Sequence, residues 1–213
     1  NDIPKPLLPL GDKTIMEHNV DRLVKFGIDD FWFSVNYLGE QIEDFFGYGE
    51  QKNISINYVR EDTALGTIGA VSKINDLKHN NVLVTNSDIL TNMDYEKFYL
   101  DFINSKADLS IVCIPYNVNI PYAVLEKDDD NFIKSLKEKP TYTYYSNGGI
   151  YLMKKSIISL IPKNSFFNAT DLIEELISKN KKVVSFSLEG YWLDVGKHDD
   201  YKKAQIDIKN IKF

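Results

Sequence analysis

Val82-Leu83-Val84-Thr85-Asn86-Ser87-Asp88 is an apolar run that stops on an amide, a hydroxyl and a carboxylate. Such a run, bounded by turn residues, predicts a buried strand over Val82 to Thr85 with a polar loop at its carboxyl end. Upstream, Thr14 to Phe26 sets Ile15, Val20, Leu23 and Val24 on one side and stops at Gly27, which predicts a helix. Phe31 to Val35 reads as a buried strand, Leu38 to Phe46 as a short helix, Ile54 to Val59 as an alternating strand and Gly66 to Ile74 as a helix. Downstream, Tyr95 to Ser105 reads as a helix and Leu109 to Ile114 as a strand. This alternation of apolar strands and helices predicts an α/β fold of three layers, with a mainly parallel, mixed sheet covered on both faces.

The second half changes character. Ala123 to Glu126 and Phe132 to Leu136 flank Asp128-Asp129-Asp130-Asn131, which predicts a hairpin. Gly149 to Met153, Val183 to Leu188 and Tyr191 to Val195 read as strands, and Ser156 to Leu160, Thr170 to Ser178 and Asp199 to Ile208 as helices. With no linker composition and no internal repeat, residues 1–213 read as a single domain, with a nucleotide half over about 1–115 and a substrate half over about 116–213. The net charge is −6 with no basic run, which argues against nucleic acid as a partner. Apolar runs are too short to span a membrane, no signal peptide is visible, and Cys113 is the single cysteine, so a reducing cytoplasm is expected. The sequence leaves homo-oligomer formation open.

Four clusters could carry chemistry. In Pro4-Lys5-Pro6 the prolines restrict the backbone around one lysine, which suits aiming an ammonium at a phosphate oxygen; a solvated lysine in a Pro-rich turn is the plainer alternative. Glu61 to Ala70, with Leu65-Gly66-Thr67-Ile68-Gly69, is a strand-to-helix turn of small residues that lets a ligand approach the backbone, although any tight turn could look similar. Asp88 follows an apolar strand, at the end of the sheet where α/β proteins bind ligands; it could hold magnesium or cap the next element. Asp194, in Trp192-Leu193-Asp194-Val195-Gly196, lies in an apolar aromatic strand and needs a cation, either a metal or a lysine. Two carboxylates from separate strand ends could converge on one Mg2+, which prefers one or two protein carboxylates plus phosphates and water.

Taken in order, Lys5-Pro6-Leu7-Leu8-Pro9, Glu61 to Ala70, Asn86-Ser87-Asp88, Glu138-Lys139-Pro140, Asn147-Gly148-Gly149-Ile150-Tyr151 and Trp192 to Gly196 resemble the sugar-1-phosphate nucleotidylyltransferases, which have a Rossmann-like fold. The resemblance implies that Lys5 contacts the nucleotide phosphates and that Leu65, Gly66 and Thr67 line the base and ribose pocket, with Glu61 near the base. It implies that Asp88 and Asp194 hold Mg2+, that Glu138 binds sugar hydroxyls and Lys139 the sugar phosphate, and that Asn147 and Gly149 flank the sugar. Lys5, Asp88, Lys139 and Asp194 are then the catalytic set. The Leu-Gly-Thr-x-Gly-Ala form is most similar to guanylyltransferases that act on mannose-, glucosamine- or heptose-type phosphates, which implies GTP and a sugar-1-phosphate as substrates.

Three features depart from that family. Its N-terminal strand and Gly-rich, arginine-ending loop have no counterpart in Asn1 to Pro4, so the natural protein is expected to extend upstream. Ser87 and Ala123 stand where glycines are usual, which bears on the sugar and not on the reaction class. The alternative reading is a non-catalytic module of the same fold that binds a nucleotide sugar.

Overall fold

The computed structural model describes residues 3–211. After a 3-10 turn over Lys5–Leu7, two short strands, β1 (Pro9–Leu10) and β2 (Lys13–Thr14), form an antiparallel pair that leads into helix α1 (Ile15–Lys25). Thr14 caps α1, its hydroxyl accepting from the Glu17 N–H while the Glu17 carboxylate accepts from the Thr14 N–H. Then follow β3 (Asp30–Val35), α2 (Gly39–Phe46), β4 (Ser55–Arg60), β5 (Asn81–Thr85), β6 (Ile89–Thr91), α3 (Tyr95–Ser105) and β7 (Leu109–Asn119). The second half comprises β8 (Val124–Lys127), β9 (Ile133–Lys137), β10 (Thr141–Lys154), α4 (Ala169–Ser178), β11 (Val183–Ser187), β12 (Trp192–Asp194) and α5 (His198–Asp207).

The central four-stranded sheet has the order β11-β7-β10-β5. β10 is antiparallel to both β5 and β7, and β11 is parallel to β7. Three of the four strands therefore run one way and β10 alone runs against them, so the sheet is mixed as expected. β3 and β4 form a parallel pair of their own, and among the described residues β3 has no second partner. The main core packs α1, α2 and α3 against these strands through Leu23, Phe33, Phe98, Val112 and Ile150. A second core seats α4 on the sheet through Leu109, Met153, Leu172 and Leu176. No helix among the described residues is long and apolar enough to cross a membrane.

Two expected helices are 3-10 rather than α, and the first is also shorter than read. Residues 66–74 form only a 3-10 turn over Gly69–Lys73, and 156–160 a 3-10 turn over Lys155–Leu160. The first does not run as an α-helix from Gly66, because the Gly69 N–H that would bond the Leu65 carbonyl donates to the Phe167 carbonyl instead, while the Phe167 N–H donates to the Leu65 carbonyl. The strand expected over 149–153 is much longer, because residues 141–147 continue along β7 as a two-stranded ribbon beyond the sheet.

Asp108 joins three elements at the opposite end of the sheet from Asp88. Its Oδ1 accepts from Lys154 Nζ at 2.9 Å and its Oδ2 from the Lys182 N–H at 3.0 Å. The Lys154 ammonium, then the Lys182 N–H, hold its carboxyl below the usual carboxylate range. A depressed folded-state pKa gives stability that is present above the unfolded value and lost as pH falls through the folded one. Asp108→Ala is therefore expected to cost about 1 kcal/mol at neutral pH, the ion pair being partly solvent-screened. Denaturant titrations at pH 7 and pH 2.5 check this, since the difference should shrink in acid.

Candidate active site

The loop Asn86-Ser87-Asp88 leaves the carboxyl end of β5 and is fixed from two sides. The Asn86 N–H donates to the Gly149 carbonyl at 3.0 Å, and Asn19 Nδ2 of α1 donates to the Ser87 carbonyl at 3.2 Å. Gly149 has φ +70°, and a Cβ there would meet Ile89 Cδ1 at 2.6 Å and Asn86 Nδ2 at 2.9 Å, so glycine is required for this approach. β6 then pairs antiparallel with β12, setting Asp194 opposite Ile89, and the Val195 N–H donates to the Asp88 carbonyl at 2.9 Å. The indole of Trp192 donates to the Gly148 carbonyl at 2.9 Å and ties β12 to β10. Asp88 and Asp194, far apart in sequence, thus come from neighbouring backbone.

Lys5 completes the cluster. Its 3-10 turn is closed by the Leu7 N–H to the Pro4 carbonyl and the Leu8 N–H to the Lys5 carbonyl. From there Lys5 Nζ reaches Asp88 Oδ2 at 2.5 Å. The Asp194 carboxyl is pushed up, first by burial and then by the charge of Asp88, while Lys5 opposes the rise. Asp88 therefore pairs with the Lys5 ammonium while the Asp194 carboxyl feels both charges, an arrangement with room for more positive charge. Among the described residues no group of three or more His, Cys, Asp or Glu converges. Two hard oxygen donors without a full protein cage fit Mg2+, which leaves its other positions to phosphate oxygens and water.

The remaining expected site residues divide into two groups. Glu61 lies at the carboxyl end of β4, its Oε2 accepting from the Leu65 N–H at 2.7 Å and its Oε1 from the Ser34 hydroxyl. It therefore shapes the Leu65-Gly66-Thr67 loop. The Leu65 side chain is buried against Val59 and Ala70, so it is not available to a ligand. Asn147 is exposed and its Oδ1 accepts from the Gly149 N–H at 2.9 Å. Glu138 and Lys139 are not brought to the cluster. They occupy the exposed turn between β9 and β10, ahead of the strand segment 141–147 that leads to Asn147, and make no hydrogen bond or ion pair with Lys5, Asp88 or Asp194. The reason is the continuous β7–β10 ribbon, which carries them outward along with Ala123 and the β8–β9 hairpin.

A family model described as "Nucleotidyl transferase" matches residues 1–211. The chain belongs to the nucleotidyl transferase family. It is 34% identical over 215 aligned residues to the D-glycero-alpha-D-manno-heptose 1-phosphate guanylyltransferase of Aneurinibacillus thermoaerophilus, covering 99% of this chain and 91% of that one. It is 28% identical to the mannose-1-phosphate guanyltransferase of Debaryomyces hansenii, covering 96% of this chain but 58% of that one. Its fold resembles the crystal structure of HddC from Yersinia pseudotuberculosis, with a TM-score of 0.75, 26% identity, and 98% of this chain and 91% of that chain covered. A complex of the same HddC with GMP-PN gives a TM-score of 0.74 at 25% identity over the same shares.

For a nucleotidyl transferase, the repulsion between Asp88 and Asp194 is a cost to the ligand-free fold. Asp194→Asn removes one charge and keeps the side-chain shape. It is expected to raise the ligand-free Tm by on the order of 1–2 °C. Calorimetric scans of the two proteins without added ligand check this.

Proposed function

We propose that this nucleotidyl transferase acts on a sugar-1-phosphate, transferring a nucleotidyl group, GMP by preference, from a nucleoside triphosphate to give a nucleotide sugar and pyrophosphate. The observation that carries this reading is the convergence of Lys5, Asp88 and Asp194 from three segments of the chain, with one ammonium and two carboxylates at the loop end of β5. The guanylyltransferase relatives of heptose and mannose phosphates support the acceptor class and the base.

In the proposed reaction an oxygen of the sugar-1-phosphate forms a bond to the α-phosphorus as the bond to the leaving pyrophosphate breaks. Lys5 Nζ, freed from part of its bond to Asp88, would neutralise charge on the phosphates, aimed by the prolines on either side of it. Asp88 and Asp194 would hold Mg2+, which when bound supplies charge neutralisation to the phosphate oxygens. Gly66 and Thr67 offer free carbonyls to the N1–H and amino donors of guanine, in a loop that Glu61 shapes. The sugar contacts assigned to Glu138 and Lys139 require the outer hairpin to turn back toward Asn147. A cytoplasmic location suits soluble substrates of this kind.

The test is pyrophosphate release by the full-length protein with each common nucleoside triphosphate and a panel of hexose- and heptose-1-phosphates. Turnover should be highest with GTP, and Asp88→Asn should lower kcat by about 10²–10³-fold with the fold intact. Higher turnover with UTP, CTP or dTTP would remove the base assignment, and no turnover with any pair would remove the transfer reaction. For the hairpin, Lys139→Ala is expected to raise KM for the sugar phosphate about tenfold while leaving KM for the nucleotide unchanged. An unchanged sugar-phosphate KM would take Lys139 out of the site.

A further inference from the structure

The Leu65-Gly66-Thr67-Ile68-Gly69 loop is held from across the molecule by the residues that start α4. The Phe167 N–H donates to the Leu65 carbonyl at 2.9 Å, and the Phe167 carbonyl accepts from the Ile68 and Gly69 N–H groups at 3.2 and 3.1 Å. Asn168 Oδ1 accepts from the Thr67 N–H at 3.3 Å, and the Thr67 hydroxyl accepts from the Ala169 N–H at 2.8 Å. Five hydrogen bonds thus join Leu65, Thr67, Ile68 and Gly69 to three residues at the start of α4.

The loop's small residues are explained by this clasp. A Cβ on Gly66, whose φ is +77°, would meet the Phe167 carbonyl oxygen at 2.7 Å and Asn168 Oδ1 at 2.9 Å, and one on Gly69 would meet the Ser165 carbonyl oxygen at 2.7 Å. Bonding consumes the backbone groups of Leu65, the N–H of Thr67 and the N–H groups of Ile68 and Gly69. Among the described residues, neither backbone group of Gly66 takes a protein partner. The clasp therefore selects which loop groups remain for a ligand and fixes their direction. Asn168 itself is braced, its N–H donating to Asp171 Oδ2 at 2.8 Å.

We propose that Asn168 is a positioning residue for nucleotide recognition. Through the Thr67 N–H it sets the orientation of the free Gly66 and Thr67 groups, so that base selection is governed from the start of α4. The proposal rests on the reading that the 65–69 loop receives the base. Loss of the Asn168 acceptor leaves the Thr67 N–H unpaired and lets the loop rotate, which should weaken and blur recognition of the base without touching the reacting atoms.

The test compares wild type, Asn168→Ala and Asn168→Asp in the full-length protein, with Thr67→Val as a variant that cuts the bond to Ala169 from the loop side. Asn168→Ala is expected to raise KM for the nucleoside triphosphate on the order of tenfold and to narrow the preference among bases. KM for the sugar phosphate should be unchanged, and Asn168→Asp, which keeps an acceptor at the same place, should restore nucleotide KM. Thr67→Val should move nucleotide KM in the same direction. A fall in Tm for Asn168→Ala with nucleotide KM unchanged would overturn the proposal, leaving Asn168 a structural residue only. Should Asn168→Ala fail to fold, an unchanged nucleotide KM in Thr67→Val overturns it instead. Hydrogen exchange on wild type with GTP and Mg2+ separates this from failure of the underlying reading. Protection of residues 65–69 supports the base loop, and binding without such protection sinks that reading and the proposal with it.

Discussion

Much of the molecule hangs on the antiparallel insertion of β10 between β5 and β7. Its inner segment, Ile150 to Lys154, pairs with β5 from Thr85 back to Asn81, and its other edge pairs with β7. Just before that segment the chain must pass very close to the loop that ends β5, and only the glycine at 149, in a left-handed conformation, allows it. That contact fixes Asn86, and Gly148 next door receives the indole of Trp192. β12 is thereby drawn alongside β6, and the second carboxylate arrives beside the first. A side chain added at 148 would itself run into the Val112 carbonyl oxygen at 2.8 Å, so the two glycines act together as the joint between sheet and site.

A cost accompanies the joint. Bringing Asp194 beside Asp88 raises the energy of the Asp194 charge, and the Lys5 ammonium offsets only part of it. A fold optimised for stability alone would use an amide at one of these positions. Retaining two carboxylates stores electrostatic free energy that a cationic ligand can release on binding.

Much of this was legible in the sequence, where one level of structure decided the outcome. α3 occupies the residues its apolar spacing predicts, and the strand over Val82 to Thr85 ends at the polar loop as read. The acidic turn 128–131 does separate two antiparallel strands. The convergence of Asp88 with Asp194 was readable because each sits at the end of an apolar strand, where an unpaired carboxylate is costly. What escaped was set by tertiary partners. Nothing in Tyr142 to Tyr145 distinguishes a loop folding Lys139 inward from a strand carrying it outward; pairing with β7 decides that. The missing helix after Gly66 reflects capture of the Gly69 N–H by Phe167, a residue about a hundred positions away. Asn168 was detectable in principle, since Asn-Ala-Thr-Asp is a helix-start pattern, but its bond to Thr67 is not a local property.

The pairing of β6 with β12 sets Asp194 opposite Ile89, 105 positions away, and the two carboxylates are 106 positions apart. Contacts of such long sequence range are formed late, because the intervening chain must first be ordered. During synthesis the segment through β11 emerges before Trp192 to Asp194 does. A chain unfinished at that point lacks the carboxylate that stands beside Asp88. The Lys5, Asp88 and Asp194 cluster is complete only once β12 has docked on β6.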